Sequence, residues 1–180
     1  MAEVQTEIPA LEALFEPWQA VIGEDYAGYR NHVYRMVHFC LALRDCDEQE
    51  REKVFIAGVF HDLGIWTERS IDYIDPSVRL AQDYCARAGL EAWSDEIGLM
   101  ISEHHKLRAY RDARYPLVEV FRRGDLVDFS LGLFKFDVSK VYFAQVTAAL
   151  PNAGFHKGLV KKASRWFVRH PLNPAPMMKW

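Results

Sequence analysis

The stretch Asp47–Gly64, DEQEREKVFIAGVFHDLG, decides the fold. By periodicity alone its middle, VFIAGVF, would serve as a buried strand, but DEQEREK is a helical first turn and the segment is too long for one strand. Asp47 followed three residues later by Glu50 has the form of a capping box. The stretch therefore predicts a central buried helix that opens at Asp47 and closes at Gly64, a residue suited to a left-handed C-cap, with His61 and Asp62 on the last turn.

Outward from this segment the chain reads as further helices. Upstream, Leu11, Leu14, Phe15 and Trp18 mark a helix over Pro9–Val21. Tyr29, Val33, Met36, Cys40 and Leu43 mark another over Asp25–Leu43, with His32 at the edge of its apolar stripe. Downstream, Trp66–Ile74 reads as an irregular connection. Pro76 opens a helix that Gly89 stops, and Ser94 caps one reaching His105. After the basic loop KLRAYRDARYP, Pro116 begins a helix with Val118, Phe121, Asp125 and Asp128 on one face. Asp137 is expected to cap the next, and a last helix spans His156–Arg169, with Lys157, Lys161, Arg165 and Arg169 opposite Leu159, Trp166 and Phe167. The tail HPLNPAPMMKW cannot continue a helix, and Met177, Met178 and Trp180 favour its docking. The reading is an all-α single domain over residues 1–180, with a core of about 26–150 on which the terminal helices and tail pack.

Composition sets limits on function. A length of 180 residues suits one core. The net charge of −3 removes the basic surplus that nucleic-acid binders carry. The longest apolar run falls far short of the ~20 residues of a membrane span, and MAEVQTEIPA has no basic and apolar leader pattern. Three cysteines without a CxxC pair argue against a disulfide framework or a thiolate zinc site and fit a reducing, cytoplasmic setting. Five tryptophans and eleven phenylalanines leave room for a homodimer interface.

Seven histidines are the notable count. Separate helices each bring an imidazole or carboxylate to an apolar face: His32; His61 with Asp62; His104 with His105; Asp125 with Asp128. Inward ligands from separate helices are how bundles build metal sites, and buried carboxylates need a cation or a partner. Imidazole and carboxylate together suit a divalent ion among Mn, Fe, Co, Zn, Ni and Mg. His38, His156 and His170 lack such company and read as structural, and Cys40 reads as core.

The order His32 in NHVYRM, His61–Asp62 in FHDLG and Asp125 in RRGDLVD resembles the HD-domain superfamily of metal-dependent phosphohydrolases, over roughly Gly28 to Phe129. The resemblance implies an all-α bundle, with His32, His61, Asp62 and Asp125 holding one divalent ion. It places His104 and His105 as added catalytic or ligand histidines beside Asp62, whose second oxygen would reach a second ion. The sequence departs from two-metal members in having no histidine between Asp62 and His104. The activity implied is hydrolysis of a small phosphorylated substrate, such as a nucleotide, by metal-activated water, with Lys106, Arg108 and Arg122 as phosphate-binding cations. The alternatives are an HD-fold di-iron oxygenase and a metal-binding domain acting as a non-catalytic sensor or interaction module.

Overall fold

The computed structural model describes residues 3–178, and among these there are helices and turns but no strand. In chain order the helices are α1 (Pro9–Phe15), α2 (Gln19–Ile22), α3 (Tyr26–Leu43), α4 (Glu48–Phe60), α5 (Gly64–Thr67), α6 (Ile74–Ala88), α7 (Ser94–Glu103), α8 (Pro116–Phe129), α9 (Lys140–Ala149) and α10 (Phe155–Arg169).

The capping box at Asp47 forms as its spacing predicts: the Glu50 N–H donates to Asp47 Oδ1 at 2.8 Å, and the Asp47 N–H donates to Glu50 Oε2 at 3.2 Å. From Val54 onward α4 buries Val54, Ile56, Ala57, Val59 and Phe60, so the run is a helix enclosed on most sides. The helix stops at Phe60, and Gly64 opens α5 instead of capping α4. The reason for a glycine there is close approach: a Cβ on Gly64 would lie 2.5 Å from the Tyr73 carbonyl oxygen and 3.0 Å from Ser77 Oγ. At Gly89 the expected left-handed cap does form, with φ 71°.

Other boundaries shift for local reasons. The expected Pro9–Val21 helix is broken by a 3-10 turn at Glu16–Trp18, because Pro17 has no N–H to continue the ladder. Ser94 is the first residue of α7 and makes no side-chain cap. Ser139, not Asp137, caps α9, its Oγ accepting from the Tyr142 N–H at 3.1 Å. On α10 the inner face is Phe155, Leu159, Ala163 and Trp166. Phe167, placed by the sequence on the apolar face with Leu159 and Trp166, is 55% exposed.

The core is organised around α3, which buries every residue from His32 to Cys40 and packs most extensively against α8. Their closest approach is at Gly124, where a Cβ would collide with Cys40 Sγ and lie 3.1 Å from the Cys40 nitrogen and 3.2 Å from the Met36 carbonyl oxygen. That contact brings His32 on α3 to the level of Asp125 and Asp128 on α8. α4 and α7 flank the same space. A smaller cluster of Ile65, Ile71 and Tyr73 receives Leu159, Ala163 and Trp166 from α10 and Met177 from the tail, so the tail docks as expected. Trp180 lies outside the described residues.

Replacing Gly124 with alanine is expected to wedge α3 from α8 and cost about 1–3 kcal/mol, the range for overpacked cores. Urea denaturation measures this, and combining Gly124→Ala with Cys40→Ala should recover part of the loss, because the thiol is the nearest obstacle.

Candidate metal centre

Three histidines converge because each has its Nδ1 held by an acceptor on the far side of the ring. His61 and His104 sit just past the C-termini of α4 and α7, where the last carbonyls lack helical partners. Each ring reaches back three residues to one of them: His61 Nδ1 to the Gly58 carbonyl at 2.8 Å, and His104 Nδ1 to the Ile101 carbonyl at 2.6 Å. His32 on α3 uses a carboxylate instead, its Nδ1 lying 2.7 Å from Asp128 Oδ2. A proton on every Nδ1 leaves every Nε2 with a lone pair, the tautomer that binds metals.

Those lone pairs meet in a buried space. His32 Nε2 is 3.2 Å from His61 Nε2 and 3.5 Å from Asp125 Oδ1. Asp62 lies between two histidines, with Oδ2 3.4 Å from His61 Nε2 and Oδ1 3.6 Å from His104 Nε2. Neither Asp62 Oδ1 nor His104 Nε2 has a hydrogen-bond partner. Acceptor facing acceptor is unfavourable unless a cation lies between, and donor atoms bound at about 2.0–2.2 Å to one ion stand roughly 3–4.3 Å apart. The separations fall in that range. Two sets can hold an ion: His32, His61 and Asp62, with Asp125 4.0 Å from His61 Nε2; and Asp62, His104 and His105. Asp62 belongs to both.

The outer groups fix the inner ones. Asp128 takes Arg35 Nε on Oδ1 at 2.5 Å and Arg35 Nη2 on Oδ2 at 2.7 Å. Arg35 Nη1 continues to the Leu150 carbonyl at 3.0 Å. Although burial opposes ionisation, the hydrogen bonds from His32 and Arg35 hold Asp128 down at about 2. Burial keeps His32 neutral, its pKa pushed down to about 4. Burial acts in the opposite sense on Asp125, raising it to about 7 with help from the Asp62 and Asp128 charges. Tyr29 braces the floor, its hydroxyl donating to the Val59 carbonyl at 2.9 Å.

The structure thus gathers His32, His61, Asp62, His104 and His105, with Asp125 at the edge. It does not bring the expected phosphate-binding cations to them. Arg122 is buried and turned to Glu119, its Nε and Nη2 each donating at 2.8 Å, with Nη1 on the Lys106 carbonyl at 3.2 Å. Arg108 lines a separate surface pocket with Glu103 and Tyr110, and Lys106 is not among the residues around the metal-site cavity.

His38 is structural as expected, bonded to Tyr142 and to the Gln5 carbonyl, and His170 stacks on Trp166. His156 is not remote: with Phe155 it lines the cavity that opens onto His32, Asp62, His105 and Asp125. Phe155 stacks on the His32 ring at 4.2 Å. Tyr73, within the segment read as an irregular connection, places its hydroxyl 2.6 Å from His105 Nε2. No sequence spacing signals these three, since each arrives from a distant element. Comparison with protein-family models, curated proteins and solved structures finds no match.

Asp128→Ala should strand the Arg35 charge and free the His32 ring, costing about 3–5 kcal/mol in denaturant titration and weakening divalent-metal affinity roughly 10–100-fold. In the native chain a divalent ion bound beside Asp125 would compete with the proton there. Affinity should therefore be level above pH 7 and fall about tenfold per pH unit below it, with close to one proton released per ion at pH 6, read by calorimetry in two buffers of different ionisation enthalpy. His32 stays neutral through that window and contributes no second proton.

Proposed function

We propose that this chain is a metal-dependent phosphohydrolase of the HD-domain type that acts on a small phosphorylated molecule in the reducing setting of the cytoplasm. The observation that carries the reading is the convergence of His32, His61 and Asp62, with Asp125 beside them, in the order H, HD, D and with every ring nitrogen opposite the centre held by an acceptor. The three buried cysteines are unpaired, in keeping with that compartment.

His32, His61, Asp62 and Asp125 would hold the principal ion; a second, when bound, would take Asp62, His104 and His105. A divalent ion held there would supply Lewis acidity and would lower the pKa of a bound water to about 7. In hydrolysis the water oxygen bonds to phosphorus and the ester P–O bond breaks. The electron pair leaves on the alcohol oxygen, which takes up the proton given up by the water. With the principal ion alone in place, His105 is free to carry that proton: it lines the cavity, burial and the neighbouring His104 keep it neutral, and Tyr73 holds its ring.

A second reading, an HD-fold di-iron oxygenase, draws on the sharing of Asp62 by two ligand sets. Two irons per chain, with oxygen consumed and no phosphate released, would decide for it.

Metal analysis of protein purified without chelator, followed by a phosphomonoester and nucleotide screen with Mn or Co, tests the proposal. At least one ion per chain and release of phosphate are expected. Asp62→Ala should reduce both to background, and His105→Gln should lower kcat roughly 10²–10⁴-fold while the principal ion remains bound. No bound metal, together with His61→Ala and Asp62→Ala variants that leave stability unchanged, would sink it.

A further inference from the structure

The cavity over the metal centre is built for an apolar molecule. It holds about 330 Å³, roughly ten times a water's share of liquid volume, which accommodates a body of about ten non-hydrogen atoms. Its walls are Phe129, Phe155, Leu159, Val160, Met177 and Met178, supplied by α8, α10 and the docked tail. Its polar residues are grouped with the metal-site side chains, apart from Tyr73, which is bonded to His105, and His156. No lysine or arginine lines it. Asp62 and Asp125 already match the charge of one divalent ion, so the added phosphate charges of a nucleoside di- or triphosphate would enter a low-dielectric space with no side-chain cation to meet them, and the polar ribose and base of a monophosphate would lie against apolar walls.

His156 is the remaining polar residue of the lining. Its Nδ1 is bonded to Asn152 Nδ2, an amide NH₂ that can only donate, so the proton of the neutral ring sits on Nε2. That nitrogen is buried and has no partner, the state of a donor awaiting an acceptor.

We infer, building on the phosphohydrolase reading, that the substrate is the monoester of a small apolar alcohol or phenol, not a nucleotide. Its uncharged body fills the cavity between α8, α10 and the tail, and its single head group meets the metal centre and the His156 Nε2–H.

The test is binding of n-alkylphosphonates of one to eight carbons, and of adenosine monophosphate, to the Mn-loaded protein by calorimetry. Affinity should rise about fourfold per methylene until the cavity is full, the factor that corresponds to ~0.8 kcal/mol per buried CH₂. Adenosine monophosphate should bind no better than methylphosphonate. His156→Phe should weaken every member about tenfold without changing the slope, as expected for loss of one hydrogen bond to a charged group. Ala163→Phe, at the cavity wall and remote from the ligand set, should lower the chain length at which affinity levels off while metal content stays the same. Affinity independent of chain length, or tightest for adenosine monophosphate, overturns the inference and leaves the hydrolase reading standing if phosphate is released. The chain-length slope without hydrolysis of any monoester overturns the hydrolase reading and keeps the apolar ligand class.

Discussion

One buried carboxylate, Asp128, connects three parts of the molecule. It accepts two hydrogen bonds from Arg35 and one from His32, both on α3, while it stands itself on α8, and Arg35 extends the chain of contacts to the Leu150 carbonyl beyond α9. An arginine and an aspartate out of water stabilise a fold only when their remaining hydrogen-bonding groups are met as well, and here they are. The arrangement sets the depth of α3 against α8 and the rotation of the His32 ring in one step. The glycine at 124 makes it geometrically available by letting the two helix backbones come into contact beside Cys40.

Helix termini do the same work for the other two histidines. A helix end leaves carbonyls without partners, and an imidazole just beyond that end can meet one of them three residues back. His61 and His104 both do so, and in consequence both direct Nε2 away from their own helix toward Asp62. Capping a helix end with a histidine thereby also fixes the direction in which its Nε2 points. Acceptor atoms crowd together as a result, and the unpartnered Asp62 Oδ1 and His104 Nε2 are its visible sign.

The space above the centre owes its character to late elements of the chain. α10 lays Phe155 on the His32 ring and Leu159 and Ala163 toward the Ile65, Ile71 and Tyr73 cluster, and the tail returns Met177 to the same cluster. Basic residues near the site in sequence go elsewhere: Arg108, three residues past His105, lines a separate surface pocket, and Arg122, three before Asp125, finds Glu119 one turn away, an i,i+3 ion pair that removes it from the cavity. Proximity along the chain to a histidine pair was a poor guide to proximity in space.

Helix identity was legible because local signals agreed: the capping box at Asp47, the apolar period of α3, Pro116 opening α8 and Gly89 closing α6. The histidines and aspartates of the cluster and their helices were legible for the same reason, since buried histidines and aspartates on apolar faces are a pattern of period and polarity. Boundaries set by competition between neighbouring caps, such as Ser139 over Asp137, were not. By itself the sequence determined an all-helical chain carrying His32, His61, Asp62, His104 and Asp125 on helices or at their ends. The tertiary structure alone decided which nitrogen of each ring faces the centre, that Arg122 turns away, and that His156, Tyr73 and Phe155 join the site. Those outcomes rest on contacts such as that of His32 with Asp128, 96 residues apart, and a helical period records the face of a side chain but not the element that will come to lie against it.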